Sequence, residues 1–187
     1  MEATPSSGFE SNSRLSRELD SQPETTHLKS DQPRSSDPEQ SKPFKQAYNK
    51  AISYLARREY SAKELDQRLT QKEFPQKIIQ PVLAKLILDG YQSDERFTEM
   101  YIRSRVRAGD GPFKIKISLR EKGICESLAL AVMDTQDIDW REQAQLLKEK
   151  RFGLLCDSPE QLAKQIRYLK NKGYYQEDIQ AVTGLTA

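Results

Sequence analysis

The sequence predicts an all-α protein in which three tandem three-helix repeats form an elongated, curved molecule behind a disordered N-terminal tail. A helix pattern recurs at a step of 50 residues, each copy starts with a residue that suits a helix start, and the first 44 residues have the composition of a solvated segment. No stretch favours a strand. The predicted divisions are a tail at 1–44 and repeats at 45–92, 93–137 and 138–187.

The predicted tail is rich in Ser and Pro and poor in aromatic residues. It holds ten of the serines and five of the nine prolines, and Phe9 and Phe44 are its only aromatic residues. Such a segment buries too little apolar surface to offset the entropy of ordering. It is also acidic, so the rest of the 187-residue chain carries a net charge of about +5. A net positive charge on residues 45–187 is compatible with binding to nucleic acid or to an acidic protein, and also with ordinary solvated helix faces.

The repeats become visible when the sequence is shifted by 50 residues. SAKELDQRLTQKEF (61–74) then falls on GPFKIKISLREKGI (111–124), and a looser third copy at 158–174 needs three extra residues. Apolar positions coincide in the first two copies, and the three copies close as QKEF, EKGI and NKGY. A three-helix unit of this size buries too little to be stable alone, so neighbouring units should stack.

Each copy begins with a recognisable helix start. Ser61 with Glu64 forms a capping box, and Pro112 and Pro159 stand at positions that suit the first turn of a helix. Apolar spacing predicts the flanking helices, and Pro81 should kink or restart the one that contains it. The predicted flanking helices cover residues 46–59, 76–89, 94–107, 125–134, 139–151 and 176–183.

The chain lacks the residues of an active site. Its one histidine, His27, lies in the predicted tail, so the folded part offers no catalytic triad and no histidine ligand for a metal. AGDGPFK follows a helix and lacks the Lys and Ser or Thr of a phosphate-binding loop. Cys125 and Cys156 are interpreted as small apolar residues of a reducing compartment. We expect no enzyme, no cofactor and no metal.

Neither a membrane segment nor a leader is indicated. No stretch approaches the roughly 18 consecutive apolar residues of a membrane span, and MEATPSSGFES has neither a basic start nor an apolar stretch behind it. These observations predict a cytoplasmic protein.

Basic residues gather on two neighbouring helices of the middle repeat. Helical spacing over 94–107 places Arg96, Arg103 and Arg107 on an open stripe. It places Ile102 and Val106 on a side that could meet the next repeat. In the following helix, Phe113 shares a sector with Lys116 and Arg120. An aromatic residue between cations can stack on bases and bind phosphates, or can anchor an acidic protein groove. A solvated face would show the same pattern.

Five segments carry a pattern that is typical of one protein family. They are AISYLARREYSAKEL (51–65), DERFTEMYIRSRVRAGDGPFKI (94–115), LREKGI (119–124), DW (139–140) and KRFG (150–153). Over most of 47–184 the chain thereby resembles the RecX family, bacterial regulators of the RecA recombinase. The resemblance implies three tandem three-helix units that bind the groove of the RecA filament on DNA. It further implies that they modulate, and usually inhibit, its ATP hydrolysis, strand exchange and coprotease activity in recombinational DNA repair and the SOS response.

The sequence departs from the family pattern at the turn of the middle repeat. Asp110 stands where the family more often has an aromatic residue, and Phe113 stands where a basic residue is common. Both departures lower the local positive charge and disfavour a purely phosphate-binding turn.

Eight basic residues are therefore the predicted partner-binding set. We expect the protein to be a monomer whose partner is the RecA filament on DNA, and weak direct contact with DNA is left open. Two alternative functions remain, a general nucleic-acid-binding protein and a helical scaffold for other proteins. The set consists of Arg57, Arg58, Arg103, Arg105, Arg107, Lys114, Lys116 and Arg120.

Overall fold

The computed structural model describes residues 41–154 and 158–184. Those residues form nine helices and contain no strand, which confirms the all-α prediction. The predicted disordered tail, apart from its last four residues, lies outside the described residues. The helices are α1 (Lys42–Leu55), α2 (Ala62–Thr70), α3 (Gln76–Leu88), α4 (Asp94–Arg107), α5 (Pro112–Glu121), α6 (Glu126–Thr135), α7 (Trp140–Phe152), α8 (Pro159–Lys172) and α9 (Gln176–Thr183).

Side-chain caps explain where most of these helices begin. A hydroxyl or carboxylate just before the helix accepts a hydrogen bond from the amide three residues later, which satisfies one of the free donors of the first turn. The capping residues are Ser41, Ser61, Ser93, Asp139 and Ser158. Helix α5 instead starts with Gly111 followed by Pro112, whose missing amide hydrogen costs nothing at a first position.

Each group of three consecutive helices has its own apolar core. In the first, Leu65 and Leu69 of α2 are fully buried with residues of α1 and α3. Ile115 and Leu119 occupy the corresponding places in the second core, and Leu169 does so in the third. The residues that the 50-residue shift aligned are therefore the residues around which each core forms, and the three-repeat architecture is confirmed.

The same turn closes the second helix of every repeat. After α2, the amide of Phe74 donates to the carbonyl of Leu69, five positions earlier. The amides of Ile124 after α5 and Tyr174 after α8 donate in the same way to the carbonyls five positions before them. Such a closure requires a left-handed residue just before the donor. That residue is Glu73 in the first repeat (φ 63°), Gly123 in the second (φ 86°) and Gly173 in the third (φ 86°).

These turns also join the repeats. The hydroxyl of Ser61, at the start of α2, donates to the carbonyl of Lys122 at 2.8 Å. Fifty residues later, the amide of Gly111, at the start of α5, donates to the carbonyl of Lys172 at 2.7 Å. The first and second repeats therefore each place the N-terminus of their second helix on the glycine turn of the next repeat. We call these two contacts the first and second junctions.

A lysine ammonium adds an ion pair to each junction. Lys122 lies 2.7 Å from a carboxylate oxygen of Glu64, and Lys172 lies 3.6 Å from one of Asp110. In both cases the lysine whose carbonyl accepts the junction bond also pairs with an acidic residue of the preceding repeat.

The structure corrects several sequence-based expectations. Helix α1 starts at Lys42, so Phe44, which was assigned to the tail, is a buried core residue. Pro81 lies inside α3 and does not restart it, while the alternative expectation of a kink stays a prediction. Ile102 is fully buried in the core of its own repeat, and Cys125 is exposed just before α6. Cys156 lies outside the described residues.

The second junction should be sensitive to a single methyl group. A Cβ on Gly173 would lie 2.5 Å from Cβ of Lys114, whereas one on Gly90, which has a similar φ of 74°, would meet nothing within 4 Å. Gly90→Ala should lower the free energy of unfolding by about 1–2 kcal/mol, the cost of a left-handed alanine. Gly173→Ala should cost a further ~1–3 kcal/mol from overpacking. Urea denaturation measures both, and equal losses would contradict the tight junction.

Candidate partner-binding site

Asp110 is the centre of a cluster of charges at the second junction. Its side chain is only 2% exposed, and it forms ion pairs with Arg105, Lys114 and Lys172. The Lys114 ammonium lies 3.0 Å from one oxygen, while Arg105 donates two hydrogen bonds to the other. Two of the predicted partner-binding residues, Arg105 and Lys114, are thus paired with Asp110, while their own side chains stay 37% and 44% exposed.

The same contacts determine the protonation of Asp110. Burial alone would raise the pKa of this carboxyl group, but the hydrogen bonds from Lys114 and Arg105 outweigh that effect and hold the pKa below 3.8, its ordinary value. The bond to Asp110 in turn raises the pKa of Arg105. Asp110 is therefore ionised at neutral pH and neutralises part of the positive charge around the turn.

The two arginines of the first repeat differ in their surroundings. Arg58 pairs with Glu64 at 3.0 Å, and its guanidinium carbon lies 3.6 Å from the centre of the Tyr60 ring. Arg57 is exposed in the turn after α1. Arg58 is therefore part of the local packing, while Arg57 is accessible.

Helix α4 presents Arg103 and Arg107 on its open side, as its spacing predicts. Arg103 pairs with Glu99 one turn earlier at 2.8 Å, and because both side chains are about half exposed, this pair contributes little stability. Arg107 makes no ion pair within the described residues. It lies at the C-terminal end of α4, where it borders a groove.

The groove lies between the end of α4 in the second repeat and helices α7 and α8 in the third. It has a volume of about 450 Å³, and Leu147 of α7 packs closely on the Gly109 turn at its base. We call it the α4–α7 groove. Its lining residues are Val106, Arg107, Ala108, Gly109, Gln143, Leu146, Leu147, Lys150, Arg151, Tyr168 and Lys172.

Sequence reasoning missed the third-repeat wall of this groove. Lys150 and Arg151 belong to the KRFG segment on which the family resemblance partly depends, but nothing in their local pattern places them beside Arg107. Their proximity follows from the second junction, which fixes how the third repeat meets the second. Val106 does face the next repeat, as predicted, whereas Ile102 does not.

Phe113, Lys116 and Arg120 remain together on α5, and the fold adds Tyr175 from the start of α9. The rings of Phe113 and Tyr175 meet edge to face with centres 6.4 Å apart, and the Lys116 ammonium lies 5.4 Å from the centre of the Tyr175 ring. Phe113 is 52% exposed. We call these four residues the aromatic patch, and a small pocket of about 130 Å³ adjoins it beside Arg120.

The described residues contain no group of three or more His, Cys, Asp or Glu side chains arranged to hold a metal ion. Among the described helices, none has both the length and the apolar character needed to cross a membrane.

Comparison with known protein families decides the assignment. Models of the first, second and third three-helix domains of RecX match residues 47–86, 93–133 and 137–183. This chain belongs to the RecX family. The three matched segments coincide with the three groups of helices described above.

Individual RecX proteins support the assignment. The regulatory protein RecX of Legionella pneumophila is 39% identical over 137 residues, which cover 73% of this chain and 91% of that protein. The one from Halorhodospira halophila is 34% identical, with 70% and 82% covered. The crystal structure of RecX from Lactobacillus salivarius superposes with a TM-score of 0.66 at 26% identity, covering 76% of this chain and 95% of that one. The Legionella and Halorhodospira relatives are named as regulatory proteins.

Removal of the charge on Asp110 should destabilise the protein in a pH-dependent way. Hydrogen bonds to charged groups contribute about 1.5–3 kcal/mol each, so Asp110→Asn should lower the free energy of unfolding by roughly that amount at pH 7. Because the folded-state pKa lies below the ordinary 3.8, the carboxylate's contribution is complete above about pH 4 and is lost as the pH falls through the folded value. The difference between parent and variant should therefore shrink below pH 4.

Asp134, exposed near the end of α6, provides the matched control. Asp134→Asn should change stability by less than about 0.5 kcal/mol at either pH. Urea unfolding between pH 7 and pH 3 measures both variants. A deficit in Asp110→Asn that stays constant over this range would contradict the proposed ionisation.

Proposed function

We propose that this chain binds the RecA filament on DNA and modulates, in the inhibitory direction, its ATP hydrolysis, strand exchange and coprotease activity. It would act in this way in recombinational DNA repair and the SOS response. Its membership in a family of regulatory proteins carries the proposal. We further propose a cytoplasmic monomer that acts by occupying a surface and not by catalysis, with repeat boundaries at 92/93 and 137/138.

The exposed cations of the predicted set support this proposal, because they offer a basic surface to a partner. Arg107, Arg103 and Arg57 are exposed, and Lys116 and Arg120 are the cations of the aromatic patch. Arg58, Arg105 and Lys114 are held by ion pairs with the carboxylates of Glu64 and Asp110, although each side chain stays partly exposed. We propose that the first group contacts the filament, with four members in the middle repeat and Arg57 in the first, while the outer repeats span neighbouring subunits.

A second candidate function is direct binding of single-stranded nucleic acid. The aromatic patch favours it, because an exposed edge-to-face ring pair beside two cations can stack on a base and hold its phosphate. The two functions are compatible, since the expected filament contains DNA.

Reversal of Arg103 and Arg107 should weaken the action on RecA. We expect Arg103→Glu with Arg107→Glu to raise the concentration needed for half inhibition of DNA-dependent ATP hydrolysis by RecA roughly tenfold or more, equivalent to about 1.4 kcal/mol. Reversal of Lys45 and Lys77 changes the net charge equally on exposed helix positions of the first repeat and should leave inhibition unchanged. If the folded Arg103 and Arg107 variant inhibits as the parent does, this site assignment is wrong.

Loss of the ring pair should weaken contact with DNA specifically. Base stacking on an aromatic side chain contributes ~1–3 kcal/mol per base, so Phe113→Ala should weaken binding of a fluorescent oligothymidylate, without RecA, by at least about fivefold. Phe152→Ala, which removes a less exposed ring from the third repeat, serves as the control. Equal affinities of parent and Phe113→Ala would exclude stacking on this patch.

A further inference from the structure

The α4–α7 groove combines unpaired cations with an uncovered apolar floor. Arg107, Lys150 and Arg151 are exposed and make no ion pair within the described residues. Leu146 lines the same groove and is 52% exposed, although the neighbouring Leu147 packs on the Gly109 turn. A volume of about 450 Å³ lies within the range of pockets that bury a ligand.

Helix electrostatics explain only part of this arrangement. Arg107 lies in the last turn of α4, and Lys150 and Arg151 lie in the last turn of α7, where a cation is favoured by the carbonyl end of the helix. This effect accounts for the charges without requiring an exposed leucine in the same groove. An apolar side chain that shares a groove with unpaired cations indicates a partner with both an apolar and an acidic part.

The walls of the groove are held in place before any partner arrives. Lys172 donates to the carbonyl of Ala108 at 3.2 Å and pairs with Asp110, which connects the end of α4 to the end of α8. The second junction fixes the same two segments through their backbones. A preformed groove avoids much of the ordering cost of binding.

We propose that the α4–α7 groove binds an acidic protein segment that carries an apolar side chain, with the apolar side chain on Leu146 and the carboxylates on Arg107 and Lys150. This proposal rests on the proposed function, because the segment would belong to the regulated partner protein. A nucleic acid would neutralise the cations, but its sugar-phosphate backbone would leave the apolar floor uncovered. Charge complementarity together with the exposed leucine therefore favours a protein segment.

Binding can be measured by fluorescence anisotropy with three labelled probes and the full chain. The first is a peptide of about twelve residues with leucines spaced four apart in a glutamate background, which presents one apolar stripe as a helix. The second has serine in place of each leucine, and the third is an oligothymidylate. We expect the leucine peptide to bind at least about tenfold more tightly than the serine peptide, because only the former covers the groove floor.

Two variants locate the binding. Arg107→Glu with Lys150→Glu should weaken the leucine peptide about tenfold or more, and Leu146→Ser should weaken it about fivefold while leaving the serine peptide unchanged. The Lys45 and Lys77 reversal controls for net charge, and circular dichroism verifies folding. Equal binding of the two peptides, or unaltered binding by the groove variants, would overturn the proposal.

The outcome is independent of the proposed function because the assay contains no RecA. Oligothymidylate binding that exceeds peptide binding and is lost in the same groove variants would identify a nucleic-acid site instead. If peptide binding fails while the parent still inhibits RecA, the inference about this groove falls and the proposed function stands.

Discussion

The carbonyl oxygens of Lys122 and Lys172 each accept a hydrogen bond from the start of the second helix of the preceding repeat. For these bonds to form, the helix start must approach the backbone of the turn, and a Cβ at Gly123 or Gly173 would lie within 2.8 Å of a side chain of that helix. The left-handed glycine therefore has two roles, since it both closes its own helix and admits the neighbouring repeat. The relation between successive repeats depends on this contact.

The two junctions determine how several charged side chains are paired within the protein. Glu64 and Asp110 stand beside them, and burial makes each carboxylate depend on the cations that surround it. Arg58, Arg105 and Lys114 are drawn into these clusters. Arg107, Lys150 and Arg151 stay exposed, and the second junction brings these cations, from two repeats, to a single groove. The contacts at the second junction thus hold the exposed cations of the groove in position.

The fold was largely predictable because each repeat carries local signals. The capping residues and the apolar spacing predicted the helices, and the 50-residue shift predicted which residues form each core. The site was predictable only in part, because Arg107 and Lys150 are distant in sequence and meet only through the second junction. The same holds for Phe113 and Tyr175. Asp110 was recognised as a departure that lowers positive charge, but its three partners depend on packing between repeats.

The sequence difference at the left-handed position of the three turns has a physical explanation in the junctions. Glu73 occupies the position equivalent to Gly123 and Gly173 and has the same left-handed backbone, although a side chain makes this conformation unfavourable by about 1–2 kcal/mol. Its side chain is exposed, whereas the equivalent glycines face the preceding repeat. Conformation alone therefore does not require glycine at this position, since glutamate is accommodated there. The approach of a neighbouring helix does require glycine. The turns EKGI and NKGY contain it because a preceding repeat packs against them, and QKEF lacks it because, within the described residues, no preceding repeat packs there.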